Sequence, residues 1–141
     1  MPTWCHNELK IKVERSTIDE LLTLARKAHI DLQPQDARKR KIVDGAGFEG
    51  DQWFSFHAFV PVPRHVRKAG RFRDWAISHW DTKWDACVAT VSWSKSKKIA
   101  YIGFMTAWGP PESVILSMRQ QYPELDILCK WQDEWGDNGR F

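Results

Sequence analysis

The segment from Trp84 to Trp108, WDACVATVSWSKSKKIAYIGFMTAW, decides the fold predicted for this chain of 141 residues. Cys87, Ala89, Val91 and Trp93 recur at every second position, a spacing typical of a strand with one buried face. The polar run SKSKK follows them. A second stretch, IAYIGFMTA, is again rich in apolar and aromatic residues. The segment therefore predicts a β-hairpin.

Outside the hairpin, similar patterns predict two strand and helix pairs. Residues 5–13 alternate, with Leu9 and Ile11 in one phase, which indicates a half-buried strand. Thr17 and Glu20 have the spacing of a capping box, with Ser16 as a competing cap, so we expect a helix over about 17–29. After the hairpin, the prolines of GPPESVILSMRQQYP fit the first turn of a helix over 111–121. ELDILCKWQ then predicts a last strand.

The middle of the chain is less regular. Residues 31–50 combine Pro34, a basic run and DGAGFEG, which predicts an irregular basic insertion. DQWFSFHAFVPVP, over 51–63, is rich in aromatic residues and ends in prolines, so it predicts a strand. Helical spacing of apolar residues predicts a short helix over about 72–79.

The fold class follows from this order of elements. When the strand at 51–63 and the insertion are treated as one connection, the order becomes β-α-β-β-α-β, the split βαβ arrangement. The prediction is an α+β, ferredoxin-like fold, with an antiparallel sheet and two helices on one face. The chain length fits a single domain over 1–141 that carries the irregular basic insertion at about 31–50.

Five segments in order carry a resemblance to a known family: PTWCHNEL, FHAFVPVP, WAISHWDTKWDA, TAWGPPESVI and EWGDNGRF. They resemble the YubB-type ferredoxin-like domain family of bacteriophage and plasmid proteins. The resemblance implies a ferredoxin-like fold and an origin in a mobile element of a bacterial host. It implies no catalytic mechanism.

Composition predicts a cytoplasmic location, which the resemblance places in the host bacterial cell. The three cysteines are widely spaced, form no C-x-x-C pair and are typical of buried thiols in a reducing compartment. The first residues contain no apolar signal region, and no stretch reaches the roughly 18 apolar residues of a membrane span. We therefore expect no contact with a membrane.

The segment HWDTKWDA, residues 79–86, allows two interpretations. His79 could act as a base, oriented by Asp81 or Asp85, with Lys83 as an electrophilic partner. Alternatively, its tryptophans anchor the start of the hairpin and Lys83 crosses an indole in a cation–π contact. The structural interpretation is favoured, because these residue types are common in ordinary turns.

Metal and cofactor sites are not predicted. The cysteines and histidines lack the short-spaced pairs that zinc sites use. DGAGFEG has glycines but no G-K-[ST] and no strand before it, so it is not a phosphate cradle. We therefore predict no catalytic residues, no metal, no cofactor and no enzymatic activity.

Basic runs and surplus aromatics instead predict a binding protein. The net charge is +3, and its basic clusters can attract phosphates or acidic protein surfaces, although such clusters are often only solvated loops. The candidate binding residues are basic or aromatic: Arg38, Lys39, Arg40, Lys41, Trp53, Arg64, Arg67, Lys68, Arg71 and Lys83.

The partner is expected to be a host protein, such as a defence factor, that this accessory protein inhibits or modulates. Tryptophan and arginine dominate protein interfaces. The alternative is nucleic-acid binding, in which basic loops flank base-stacking aromatics on the strands. Those aromatics are Trp53, Phe54, Phe56, Tyr101, Phe104 and Trp131. The oligomeric state is left open.

Overall fold

The computed structural model describes residues 3–34, 50–51, 54–67 and 71–141. Within them the chain forms an antiparallel sheet, three α-helices and two short 3-10 helices. The strands are β1 (Trp4–Lys12), β2 (Gly50–Asp51), β3 (Cys87–Ser94), β4 (Ile99–Ala107), β5 (Asp126–Asp133) and β6 (Asn138–Arg140). The helices are α1 (Arg15–Leu32), α2 (Phe72–Trp80) and α3 (Glu112–Gln121), and the 3-10 helices span Phe56–Ala58 and Arg64–Val66.

The described strands lie in the order β2-β3-β4-β1-β5-β6, and every neighbouring pair is antiparallel. The predicted hairpin is confirmed as β3 and β4, in which Val91 lies opposite Ile102. β1 lies between β4 and β5, so Leu9 has Ile102 on one side and Cys129 on the other. The antiparallel α+β class predicted from the alternating patterns is therefore confirmed.

One core lies between the sheet and the helices. Alternate residues of β1, including Leu9 and Ile11, are fully buried, as the predicted phase requires. They share a cluster with residues of all three helices: Ile18, Leu21, Leu22, Ala25, Ala76, Trp80, Val114, Ile115 and Met118. Because these helices pack against that side, the residues of the opposite phase, such as His6 and Glu8, are exposed.

The short helix predicted over about 72–79 is confirmed as α2. The predicted layer of two helices needs correction, because α2 is a third helix that adds Ala76 and Trp80 to the same core. The predicted capping box is also wrong, because α1 begins at Arg15 and Thr17 already lies inside it. The start of α1 is instead tied to the hairpin, where Lys98 Nζ lies 3.0 Å from a Glu14 carboxylate oxygen.

The strand predicted over 51–63 is wrong for the described residues after Asp51. Residues Phe56–Ala58 form a 3-10 helix instead. The Asp85 carboxylate accepts the backbone N–H of Phe56, and the Ser55 hydroxyl accepts that of His57. Since side chains satisfy these backbone donors, this segment makes a compact turn that buries its aromatic rings.

Candidate functional site

The segment HWDTKWDA forms the corner between α2 and β3, and contacts within the fold account for most of it. Trp80 is fully buried, and its Nε1–H donates to the Val60 carbonyl at 3.0 Å. Asp81 has a left-handed backbone (φ 64°), and its carboxylate accepts the Ser113 N–H of α3 at 2.8 Å. The buried Thr82 hydroxyl donates to the Trp84 carbonyl. These contacts support the structural interpretation of the segment.

Asp85 anchors the turn at residues 54–59. Its carboxylate accepts the Ser55 hydroxyl and the N–H groups of Phe56 and Ala86, the latter two at 2.8 Å. Burial raises the pKa of the Asp85 carboxyl, because desolvation disfavours its charged form. Since its oxygens are committed to three donors of the fold, this carboxylate is not placed to orient a catalytic histidine.

Tryptophans from four distant segments meet near the start of β1. The rings of Trp4 and Trp84 make an edge-on contact with centroids 5.8 Å apart. The Trp108 N–H donates to the Thr3 carbonyl, and the Trp135 Nε1–H donates to the Thr3 hydroxyl at 3.3 Å. We call Trp4, Lys83, Trp84, Trp108 and Trp135 the tryptophan cluster.

The predicted cation–π contact of Lys83 is present in this cluster. Lys83 Nζ lies 4.3 Å from the centre of the Trp108 ring. Despite that contact, 43% of Trp108 and 80% of Trp135 are exposed to solvent. Large apolar side chains that remain exposed are a common mark of an interaction surface when they form one patch, and both of these tryptophans bond to Thr3.

Trp108 also has an unusual backbone conformation. Its φ is 90°, a region that a non-glycine residue enters at a cost of about 1–3 kcal/mol. A hydrogen bond to Thr3 and an isolated bridge to Thr82 hold it there. Backbone strain of this kind is concentrated at functional positions, so the half-exposed Trp108 indole is a candidate functional side chain.

Two grooves lie beside the cluster and share Phe72 and Trp84 in their walls. The first, of about 520 Å³, is also lined by Arg67, Asp85 and Cys87. The second, also of about 520 Å³, is lined further by residues at 73, 74 and 83. The grooves place the cluster next to the basic segment that precedes and begins α2.

Arg67 forms part of a polar network with the buried His57 and the exposed Asp31. The Val62 N–H donates to His57 Nδ1 at 2.8 Å, so the ring proton is on Nε2, which donates to Asp31 at 2.7 Å. Arg67 lies 2.9 Å from the same carboxylate oxygen. These contacts lower the pKa of Asp31, chiefly through the hydrogen bond from His57 and then through Arg67. Arg67 therefore helps to hold the C-terminal part of α1.

The predicted binding residues are only partly brought together. Arg64 and Arg71 are exposed, whereas Arg67 is partly buried in its ion pair and Lys83 belongs to the tryptophan cluster. The remaining predicted residues lie outside the described residues: Arg38, Lys39, Arg40, Lys41, Trp53 and Lys68. The predicted insertion at 31–50 is described only at its two ends, and its first residues belong to α1.

The strand aromatics proposed for base stacking are mostly unsuitable. Phe54, Phe56 and Phe104 are buried in the core, so they cannot contact a base. Tyr101 lies on the sheet face opposite the helices and is half-buried, and Trp131 packs over Gly139 on the other face. The sequence interpretation missed Trp4, Trp108 and Trp135. The sequence feature that could have indicated these three residues is the high tryptophan count, which does not show which tryptophans lie close together in the fold.

The groove beside Trp84 does not have the chemistry of a nucleophile site. Cys87 lines it together with His29 and Asp85. Burial raises the pKa of the Cys87 thiol, which keeps it in the weakly nucleophilic protonated form. Among the described residues, no group of three or more His, Cys, Asp or Glu side chains is placed to hold a metal ion. Nothing in the described part of the structure positively indicates an enzyme.

Comparisons with known protein families, with curated proteins and with solved structures found no match to this chain. In the part of the chain that the structure describes, no helix has the length and apolarity needed to cross a membrane.

Proposed function

We propose that this chain is a non-catalytic binding module whose tryptophan cluster docks on another protein. The observation that carries the proposal is the convergence of four tryptophans and Lys83 from separate segments, with Trp108 and Trp135 exposed. In keeping with the resemblance of the sequence, we propose a phage or plasmid accessory protein. Its partner would be a host protein, such as a defence factor, that it inhibits or modulates.

Interface energetics support this role. Tryptophan is among the residues most enriched at binding hot spots, where removing one side chain commonly costs about 2 kcal/mol or more. An indole offers a large apolar area on a stiff side chain and still donates one hydrogen bond. Lys83 and the backbone contact to Thr3 hold Trp108 in place, so this side chain loses less conformational entropy on binding.

The charges around the cluster favour a protein over a nucleic acid. The tryptophan cluster contains the cation Lys83, but its Trp135 lies in an acidic turn formed by residues 133–137. The Asp133 carboxylate accepts the backbone N–H groups of Trp135 and Asp137. These carboxylates would repel a phosphate backbone, whereas a protein surface can match mixed charge. Nucleic-acid binding remains the alternative, and Arg64 and Arg71 are the described residues that fit it best.

The ferredoxin-like assignment is part of the same proposal. The four long strands lie in the order β3-β4-β1-β5, and a helix follows both β1 and β4 in the chain. This order supports a split βαβ arrangement, with α2, β2 and β6 as additions. A cytoplasmic site of action in the host is supported by three free cysteines, two of them fully buried.

The experiment is affinity capture from bacterial lysate, with and without nuclease, followed by binding of the purified partner. We expect a nuclease-resistant protein partner whose affinity falls at least about 10-fold for Trp108→Ala/Trp135→Ala. Leu24→Ala/Leu116→Ala is the matched control, because both leucines are exposed apolar residues on helices elsewhere. Thermal melting checks that each variant is folded.

Two outcomes would contradict the proposal. If the partner is no longer captured after nuclease treatment, the protein binds nucleic acid and not a host protein. A partner that binds both double variants as tightly as the unchanged protein would show that the tryptophan cluster is not its docking surface.

A further inference from the structure

The sheet face opposite the helices carries a polar groove that the tryptophan cluster does not include. The strand register places Gly103 opposite Glu8, Glu8 opposite Lys130, and Lys130 opposite Arg140. Directly opposite residues of antiparallel strands point to the same face. These side chains therefore form one row across β4, β1, β5 and β6, and the three charged ones are exposed.

A groove of about 740 Å³ follows this row. Gly103 is one of its lining residues, and a Cβ atom there would lie 3.2 Å from the Thr90 hydroxyl. The next row along the strands adds two amides, since Gln132 lies opposite Asn138 and both line the groove. The groove is open, most of its lining residues have polar or charged side chains, and its cations lie at one end.

The charges of the row are only partly balanced within the described structure, because Glu8 lies opposite Lys130 and no carboxylate of the row lies opposite Arg140. Like charges directly opposite each other destabilise a sheet, yet Lys130 and Arg140 are such a pair, with Cβ atoms about 5 Å apart. None of the ion pairs among the described residues involves Lys130, Arg140 or Glu8. An anion bound between the two cations would remove the repulsion and satisfy both donors.

We propose that this groove binds a small phosphorylated sugar. The phosphate lies between Lys130 and Arg140, where a guanidinium fork and an ammonium can share a doubly charged group. Glu8, on the other side of Lys130, accepts a hydrogen bond from a sugar hydroxyl, and the amides of Gln132 and Asn138 bind further hydroxyls. Glu8 would repel a simple anion, so its presence beside the two cations favours a ligand with hydroxyls next to its phosphate.

This proposal is independent of the docking function, because none of the groove residues belongs to the tryptophan cluster. The test is NMR titration of the whole protein with ribose 5-phosphate, adenosine monophosphate and inorganic phosphate. We expect saturable shifts of the backbone signals of Glu8, Gly103, Lys130 and Arg140 with both sugar phosphates. Inorganic phosphate should bind at least about 10-fold more weakly, because it lacks the sugar hydroxyls that donate hydrogen bonds to Glu8. The relative affinities for ribose 5-phosphate and adenosine monophosphate show whether a sugar phosphate or a nucleotide binds more tightly.

Variants with matched charge changes test the residues. Lys130→Gln/Arg140→Gln should weaken ribose 5-phosphate binding at least about 10-fold, whereas Lys95→Gln/Lys97→Gln, in the exposed β3–β4 turn, should leave it within about 2-fold. Glu8→Ala should lower the affinity for ribose 5-phosphate and not that for inorganic phosphate.

Three results would overturn the proposal. They are no saturable shift on the unchanged protein at millimolar ligand, equal weakening by both double variants, and inorganic phosphate binding as tightly as the sugar phosphate. The first and third are measured on the unchanged chain, so they hold even if a variant fails to fold.

Discussion

At the scale of single residues, Asp85 shows how one polar side chain determines a local backbone. Its carboxylate accepts one hydroxyl and two backbone N–H groups, and two of these donors belong to Ser55 and Phe56, some thirty positions earlier. Sequence patterns suggested a strand at that point and a catalytic role for Asp85 as one alternative. The hydrogen bonds explain both differences, because they hold the earlier segment in a turn and occupy the carboxylate.

Asp85→Ala should lower the free energy of unfolding by about 3 kcal/mol, because it leaves two backbone N–H groups and one hydroxyl without their acceptor. Asp19→Ala, at an exposed position of α1, should change it by less than about 0.5 kcal/mol. Urea denaturation measures both variants. Equal stability of the two would show that Asp85 does not anchor the turn.

Asp31 is the second residue whose environment has a measurable consequence. Its carboxylate is partly exposed but receives both the His57 Nε2–H and Arg67. These contacts lower its pKa below the ordinary value of 3.8. The ionised form therefore stabilises the fold, and that stabilisation is complete above this value and is lost as the pH falls through the folded-state pKa.

Asp31→Asn keeps an acceptor for His57 but removes the charge, so it should lower the Tm at neutral pH. The difference in Tm between the variant and the unchanged protein should shrink as the pH falls below about 4, because Asp31 is then protonated in the unchanged protein as well. Thermal melts over this pH range measure it. A difference that stays constant down to about pH 2 would contradict the charge-based explanation.

At the scale of elements, β6 depends on a glycine. Gly139 pairs with Trp131 across β5 and β6, and the Trp131 indole lies directly over it. A Cβ atom at position 139 would come within 2.8 Å of Trp131 Nε1. The indole can cover this edge of the sheet only because position 139 has no side chain.

Gly139→Ala should therefore destabilise the protein by about 1–3 kcal/mol, as overpacking commonly does. Gly109→Ala is its control, since a Cβ atom there meets nothing within 4 Å. Hydrogen exchange of the amides in β6 would localise the effect. If both alanine variants unfold at the same denaturant concentration, the close approach of Trp131 and Gly139 does not constrain this edge.

At the scale of the whole molecule, the basic segment before α2 has two roles. Arg67 is paired with Asp31 inside the fold, so reversing its charge would disturb the structure as well as any binding. Arg64 and Arg71 are exposed and lie along the chain on either side of it. A test of electrostatic steering should therefore use these two residues and leave Arg67 unchanged.

Arg64→Glu/Arg71→Glu should slow association with an acidic partner by about 10-fold or more at low salt, and the effect should fade as salt is added. The dissociation rate and the Tm should change little. Lys95→Glu/Lys97→Glu alters the net charge equally and serves as the control. Stopped-flow kinetics measure the association rates of both double variants. Equal slowing of association would show that net charge sets the rate, and not the surface that carries Arg64 and Arg71.

Local patterns were sufficient for β1, the β3–β4 hairpin, the approximate extents of the helices and the phase of the buried residues. Those features depend on spacings of two and about 3.6 residues, which the chain displays directly. The same patterns failed at residues 54–63, where the distant Asp85 carboxylate accepts the Phe56 N–H, and at the start of α1, which begins at Arg15 without a side-chain cap.

The tryptophan cluster and the row from Gly103 to Arg140 also depend on the tertiary structure. Their members come from distant parts of the chain, and strand order, register and long-range contacts bring them together. Composition could show that the protein has more tryptophan than usual. Which indoles fill the core and which remain in solvent is decided by contacts between residues far apart in sequence, and these have no local periodicity to reveal them.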